Sequence, residues 1–255
     1  MCLIFLSLNS HPNYKFILAA NRDEFYNRRT AAADYWSDFP HILGGRDLEA
    51  NGTWLGMTKN GKISLLTNYR DPKHIDLQAP SRGRLVSDFL ETDISADDYL
   101  RGIEKERKKY NGFNLLAGTV NELLYLSNHA EGTRKLQTGF FGLSNHLLDT
   151  AWPKVVRGKE RLEPILGETN LEPDQLFEFL YDDQQAKDNQ LPDTGIGIER
   201  ERALSSMFIK TPIYGTRCST VVLVDRLNHV LFAERVYDLK TFEFALKTFE
   251  FSIGE

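Results

Sequence analysis

The sequence predicts an α+β fold in which two mainly antiparallel sheets lie face to face with helices packed outside them. Three observations carry this reading. Apolar runs of strand length open and close the chain, with helical patterns between them. Short turn signals join neighbouring strands, which argues for antiparallel pairing. No repeat, low-complexity stretch or linker interrupts the 255 residues, so one domain over 1–255 is expected.

The elements follow in order. Cys2 to Leu8 (CLIFLSL) and Tyr14 to Asn21 (YKFILAAN) are apolar runs around the turn residues Ser10-His11-Pro12-Asn13. They predict a hairpin with Cys2 at its open end. After an irregular stretch, Gly52 to Thr58 and Lys62 to Asn68 flank Asn60-Gly61, a strong hairpin signal in which both central residues need positive φ. The period then changes. Ser81 to Leu90 and Ser95 to Tyr110 read as helices, the second starting at a Ser95/Asp98 cap. Strands return at Phe113 to Val120, Glu122 to Ser127 and Phe140 to Leu143. Trp152 to Glu163 and Pro173 to Tyr181 read as helices, and the polar segment from Asp182 to Arg200 as a loop. Ser219 to Asp225 and His229 to Val236 are strands, while Phe242 to Phe251 fits either strand or helix.

Composition excludes several classes. Thirty-one Lys and Arg against 36 Asp and Glu give a net charge of −5, with no global pull towards nucleic acid or anionic membrane. The basic run Lys105 to Lys109 lies among acidic residues and reads as a solvated helix face. No apolar stretch approaches the roughly 20 residues needed to span a bilayer. No secretory signal pattern opens the chain, so a cytoplasmic protein without stable membrane anchoring is expected. The two cysteines, Cys2 and Cys218, make no disulfide framework and no metal-ligand spacing. The six histidines lack HExxH-type spacing, and Gly44-Gly45 opens no phosphate cradle. Neither metal nor cofactor is expected.

Cys2 is the residue with the most chemical content. Were Met1 removed, it would carry a thiol and an α-amine, with reference pKa values of about 8.5 and 7.7–8.0. Nucleophile and base would then reside in one residue. The polar cluster Asn21-Arg22-Asp23-Glu24 closes the second strand, and a register of about 6–7 residues per strand brings residue 2 opposite roughly residue 20. Asp23 could orient the amine or thiol, and Arg22 could lower the thiol pKa. The bland alternative is a strand exit with surface ion pairs. Asn68 is a candidate oxyanion donor or a simple turn Asn, and Asn145 a second site amide or a helix-approach cap. Arg217 could fix a substrate carboxylate, pair with Asp23, or lie on the surface.

These residues resemble the NRDE-motif family, also called the transport and Golgi organisation 2 family. The resemblance spans nearly the whole chain. It rests on NRDE at Asn21–Glu24 after a Met-Cys start, Asn51-Gly52-Thr53-Trp54-Leu55-Gly56, Leu66-Thr67-Asn68-Tyr69-Arg70 and Ser81-Arg82-Gly83. It continues through Gly142-Leu143-Ser144-Asn145, Trp152-Pro153-Lys154, Leu191-Pro192-Asp193-Thr194-Gly195 and Tyr214-Gly215-Thr216-Arg217. That family is in turn similar to N-terminal nucleophile hydrolases of the penicillin V acylase and bile salt hydrolase group, which implies a four-layer αββα sandwich. Carried over, Cys2 is the nucleophile, Asp23 the second-strand aspartate, Asn68 and Asn145 the site asparagines and Arg217 the late arginine. Asn21, Arg22, Glu24, Trp54, Tyr69 and Arg70 are the binding candidates. One position departs from the pattern. The acylases carry an arginine three residues before their aspartate, where this chain has Ala20. Arg22 adjoins Asp23 and, as its strand neighbour, is not expected to replace that guanidinium.

Two functions follow from the resemblance. One is hydrolysis of a non-peptide amide C–N bond through an acyl-enzyme on Cys2. The other is a non-catalytic carrier or chaperone on the same scaffold, since animal members of the family are implicated in Golgi organisation, lipid balance and haem movement. The expected partner is a small amide or acyl ligand, or haem.

Overall fold

The computed structural model describes residues 2–254. Thirteen strands and five α-helices make up these residues: β1 (Cys2–Leu8), β2 (Tyr14–Phe25), β3 (Thr30–Tyr35), β4 (Ile42–Asp47), β5 (Leu55–Thr58), β6 (Lys62–Asn68), α1 (Arg84–Glu91), α2 (Ala96–Glu106), β7 (Phe113–Thr119), β8 (Glu122–Ser127), β9 (Arg134–Lys135), β10 (Gly139–Leu143), α3 (Pro153–Leu166), α4 (Pro173–Leu180), α5 (Ile198–Ala203), β11 (Tyr214–Asp225), β12 (His229–Tyr237) and β13 (Phe244–Ser252). The first sheet has the order β10-β1-β2-β11-β12-β13, the second β3-β4-β5-β6-β7-β8-β9. Every named strand pairing is antiparallel.

Strand alternation creates the layers. On β1 and β2, Ile4, Leu6, Leu8, Phe16 and Leu18 pack between the sheets against Leu55, Met57, Leu65 and Leu116. The intervening Leu3, Phe5, Ile17 and Ala19 pack outward against Val155 and Leu162 of α3 and Leu176, Phe177 and Phe179 of α4. On the far side, Leu85, Val86, Phe89 and Leu100 of α1 and α2 cover Leu66, Phe113 and Leu115. The result is helix, sheet, sheet, helix, the αββα arrangement.

The differences from the sequence expectations have local causes. The irregular stretch before Gly52 contains β3 and β4, which periodicity hides because Gly44-Gly45 interrupts the apolar pattern. At the Asn60-Gly61 turn only Gly61 has positive φ (85°). The expected loop after Asp182 carries the short helix α5, whose charged residues Glu199 to Arg202 mask its one buried carboxylate, Glu201. Phe242 to Phe251 resolves as strand: β13 pairs along the full length of β12. Both cysteines are free. Cys2 and Cys218 lie on strands either side of β2, both opposite Arg22. Two strand spacings separate them by about 9–10 Å, too far for a disulfide between them.

Candidate functional site

β1 and β2 run antiparallel with Cys2 opposite Arg22. The sequence estimate fell two residues short because β2 continues through the polar cluster to Phe25. Alternation then divides that cluster. Cys2 and Arg22 continue the set facing the second sheet, whereas Asn21 and Asp23 continue the set facing α3 and α4. Ala20 and Arg22 both lie an odd number of residues from Asp23, so they share a face. This corrects the expectation about the absent acylase-type arginine: Arg22 occupies that face, one row nearer the strand end.

A pocket of about 290 Å³ opens beside Cys2, lined by Arg22, Asp23, Glu24, Trp54, Asn68 and the loop from Ala79 to Gly83, with Arg28 and Asp47 at its side. Two glycines make it. A Cβ on Gly45 would lie 2.2 Å from the Trp54 ring, so only glycine lets that ring lie flat across β4. Trp54 in turn covers the Arg22 guanidinium at 4.2 Å. At Gly52 a Cβ would meet the backbone of Gly83 at 2.5 Å, and the Thr53 N–H donates to the Gly83 carbonyl at 3.2 Å. This close approach brings the Ser81-Arg82-Gly83 loop to the mouth. Arg82 is fixed there by donating to the Gly112 carbonyl (2.8 Å), and Arg28 by its 2.6 Å pair with Asp47.

Of the residues singled out from sequence, Cys2, Arg22, Asp23, Glu24, Trp54 and Asn68 line this pocket. The others do not. Asn145 is fully buried and its amide donates to the Asn68 carbonyl (3.0 Å), while its own carbonyl accepts from the Arg70 N–H (2.8 Å). It shapes the end of β6. Arg217 sits where the β2–β11 register slips between Thr216 and Cys218, and this bulge turns it away. Its guanidinium donates to the carbonyls of Phe25, Tyr26 and Arg28. Asn21 donates to the carbonyls of Leu180 (3.0 Å) and Met207 (2.9 Å), tying β2 to the helix layer. Tyr69 stacks on His129 and shares a hydrogen bond with His146. Arg70 pairs with Glu201 at 2.6 Å.

Electrostatics separate the two faces. Burial pushes the Cys2 thiol up, reinforced by Asp23 and Glu24; Arg22 pulls it down, as expected, but does not prevail. Burial also raises Asp23, opposed first by Lys154 and also by a 2.7 Å hydrogen bond from Thr216. At Glu24, burial is outweighed by surrounding positive charge, including Arg22 and Arg28, and its carboxyl is held below the usual range. Among the described residues no group of His, Cys, Asp and Glu could hold a metal ion. No described helix is long and apolar enough to cross a membrane. The state of Met1 lies outside the described residues.

Sequence reasoning gave no role to Lys154 or Arg82, although both fall in quoted motifs. Lys154 is almost completely buried at the start of α3, and burial pulls its ammonium down to about 8. The signal was a cation in the first turn of a helix, where the macrodipole disfavours it.

Comparisons with known proteins bear on the family and the fold. The human Transport and Golgi organization protein 2 homolog is 39% identical over 99% of each chain. The Drosophila melanogaster Transport and Golgi organization protein 2 is 33% identical, covering 92% of this chain and 91% of its own. Among solved structures, a Caenorhabditis elegans N-acylethanolamine-hydrolyzing acid amidase ortholog superposes with a TM-score of 0.53 at 12% identity, covering 87% of this chain and 92% of that one. A conjugated bile acid hydrolase from Clostridium perfringens, in its C2A form, reaches 0.50 at 8% identity over 99% and 98%. These two show the fold, that of N-terminal nucleophile hydrolases. The family model for Transport and Golgi organisation 2 matches residues 1–239, and the chain belongs to that family.

Proposed function

We propose that the chain hydrolyses a small non-peptide amide through an acyl-enzyme on Cys2. The observation that carries this reading is the placement of Cys2 on the wall of a charged pocket, with Asn68 and Asp23 in the same wall. The chemistry needs Met1 removed. The α-amine of Cys2 then takes the thiol proton as sulfur bonds to the carbonyl carbon. The Asn68 amide and a backbone N–H donate to the oxyanion. The C–N bond breaks as the amine leaves with that proton. Water, activated by the same α-amine, attacks the thioester and releases the acid. The volume admits the reacting end of a substrate, with a longer acyl chain extending past the mouth. Arg22, Arg28 and Arg82 favour a polar or anionic group next to the scissile bond. The structural neighbours' names supply the substrates to try: an N-acylethanolamine and a conjugated bile acid. The test is release of free amine from each by the purified chain and by Cys2→Ala. Turnover lost in the variant supports the reading; no turnover by a chain whose N-terminus is Cys2 defeats it.

A specific observation favours a second reading, a binding or trafficking protein for an acyl lipid or haem. Asn145 and Arg217 spend their donors on backbone carbonyls, and burial pushes the Cys2 thiol up. Haemin titration of the chain and of Cys2→Ala decides its haem form: no Soret shift in either removes it.

A further inference from the structure

The Ser81-Arg82-Gly83 loop lines the pocket beside Cys2 and is pinned from several directions. Gly83 accepts from the Thr53 N–H, and the Arg84 N–H donates to the Ser81 carbonyl (3.4 Å), closing the turn before α1. Farther back, Asn111 holds the loop at Asp76. Its side-chain carbonyl accepts from the Asp76 N–H and its amide donates to the Asp76 carbonyl, each at 2.8 Å. Arg82 is thus presented on a fixed backbone. Its Nη1 donates to the Gly112 carbonyl at 2.8 Å, which orients the guanidinium. The Nε–Nη2 edge has no hydrogen bond, and the side chain no ion pair, among the described residues. That edge is the one that meets a carboxylate side-on with two parallel N–H donors.

The other charges of the pocket are already engaged. Asp47 accepts from Arg28 at Nε (3.1 Å) and Nη2 (2.6 Å). Asp23 accepts from the Thr216 hydroxyl, and Glu24 from the Phe25 N–H (2.9 Å). Glu24 and Arg22 stand 3.8 Å apart, a loose pair, and the buried Nη1 of Arg22 makes no hydrogen bond. Arg82 on the loop and Arg22 on β2 therefore border the pocket with donors to spare. Cationic donors drawn out of water and left unpaired are costly, and an anion removes that cost.

We propose that Arg82 is the specificity-determining residue of the Cys2 pocket: it takes the α-carboxylate of an N-acyl amino acid, with Arg22 supporting the same negative charge from beneath Trp54. The proposal rests on reading Cys2 as the reacting group and names the substrate class for that reading. Scissile carbonyl and anion must share a pocket of about 290 Å³, and an α-amino acid sets its carboxylate one carbon from the amide nitrogen. Trp54, Leu66, Ala79 and Pro80 supply apolar wall for the acyl side. The C–N bond breaks, the amino acid leaves as its amine, and water cleaves the thioester. One N-acyl amino acid and one water thus yield one carboxylic acid and one amino acid.

The test is equilibrium binding of N-octanoylglycine and of N-octanoylethanolamine to the full-length Cys2→Ala chain, which turns neither over. The two probes share the amide and the acyl chain and differ in the charge. N-octanoylglycine should bind at least about tenfold more tightly. Adding Arg82→Gln should bring the ratio near one, while Arg82→Lys, which keeps the charge and loses the fork, should retain part of it. Equal binding of the two probes to Cys2→Ala overturns the proposal, as does a preference undiminished by Arg82→Gln. Should Arg82→Gln fail to fold, the intact guanidinium is read directly by nitrogen-15 NMR of arginine-labelled Cys2→Ala chain, with Arg82→Lys assigning the signal. The Arg82 Nε resonance should shift with N-octanoylglycine and stay with the ethanolamide; an unmoved resonance overturns the proposal equally. A chain that shows the preference yet releases no glycine from N-octanoylglycine when its N-terminus is Cys2 defeats the hydrolase reading and supports the carboxylate site. A chain that releases amine from both probes without a preference in binding does the reverse.

Discussion

The two faces of the first sheet, at the same strand end, are built for different work. On the face towards the second sheet, Cys2 and Arg22 lie under Trp54 and look into a pocket. On the face towards the helices, Asn21 donates to the carbonyls of Leu180 and Met207, Asp23 accepts from Thr216 while also reaching the pocket wall, and Lys154 is buried at the start of α3. Only strand alternation separates them: Asn21, Arg22, Asp23 and Glu24 are consecutive, and every second one turns over. The comparison teaches that a four-residue motif can supply both a pocket wall and its support. The open face offers a thiol, guanidinium groups and Asn68. The closed face fixes the strand and carries the buried charges.

Substitutions on the two faces should therefore fail differently. The largest effect belongs to the open face. Cys2→Ala should remove at least about a thousandfold of kcat with little change in melting temperature, read by amine release and calorimetry. An equal loss of stability would erase the division between faces. Asn68→Ala should lower kcat by about 10²–10³ while leaving KM near wild type, if its amide meets the oxyanion. On the closed side, Glu201→Ala strips the partner from the buried Arg70 and should cost about 3–5 kcal/mol in urea unfolding. A similar closed-layer cost is expected at Gly158, where a Cβ would sit 2.0 Å from the Phe5 ring; Gly158→Ala should destabilise by about 1–3 kcal/mol without altering Cys2 alkylation.

The smallest effect is one of pH. Lys154 titrates near 8 when folded, against an ordinary value of 10.5. Between these values the unfolded chain binds more protons, so this group's contribution makes stability rise with pH across the window. Urea unfolding at pH 8 and pH 10 should show that rise in wild type relative to Lys154→Met. Parallel behaviour of the two chains would mean that burial does not depress the Lys154 ammonium.

Much of the fold was legible in sequence because its signals are local. Apolar runs and turn residues placed β1, β2, β6 to β8, β11 and β12, and the Ser95 cap placed α2. β3 and β4 were not legible because β3 is a small-residue run, Thr-Ala-Ala-Ala, and because in β4 Gly45 makes room for the Trp54 ring while Gly44 lies against the backbone of Leu55 and Gly56. Cys2, Arg22, Asp23 and Glu24 share one pocket because the β1–β2 hairpin sets that strand end, and Trp54 and Asn68 reach it from the β5–β6 region of the second sheet. Arg217 escaped because its direction depends on a bulge, and a bulge is a property of the register between two strands. Lys154 escaped because its burial at the start of α3 is a product of tertiary packing, which a local pattern does not carry.

The claim that the open face is a nucleophilic centre is tested most directly at Cys2 itself. The purified chain, its N-terminus read by sequencing, is incubated with an acylating amide analogue and mapped by peptide mass spectrometry. The account predicts a chain starting at Cys2, carrying a hydroxylamine-labile acyl group on that residue and none in Cys2→Ala. An acyl group on Cys218 instead, or none on a folded chain that begins at Cys2, would contradict it.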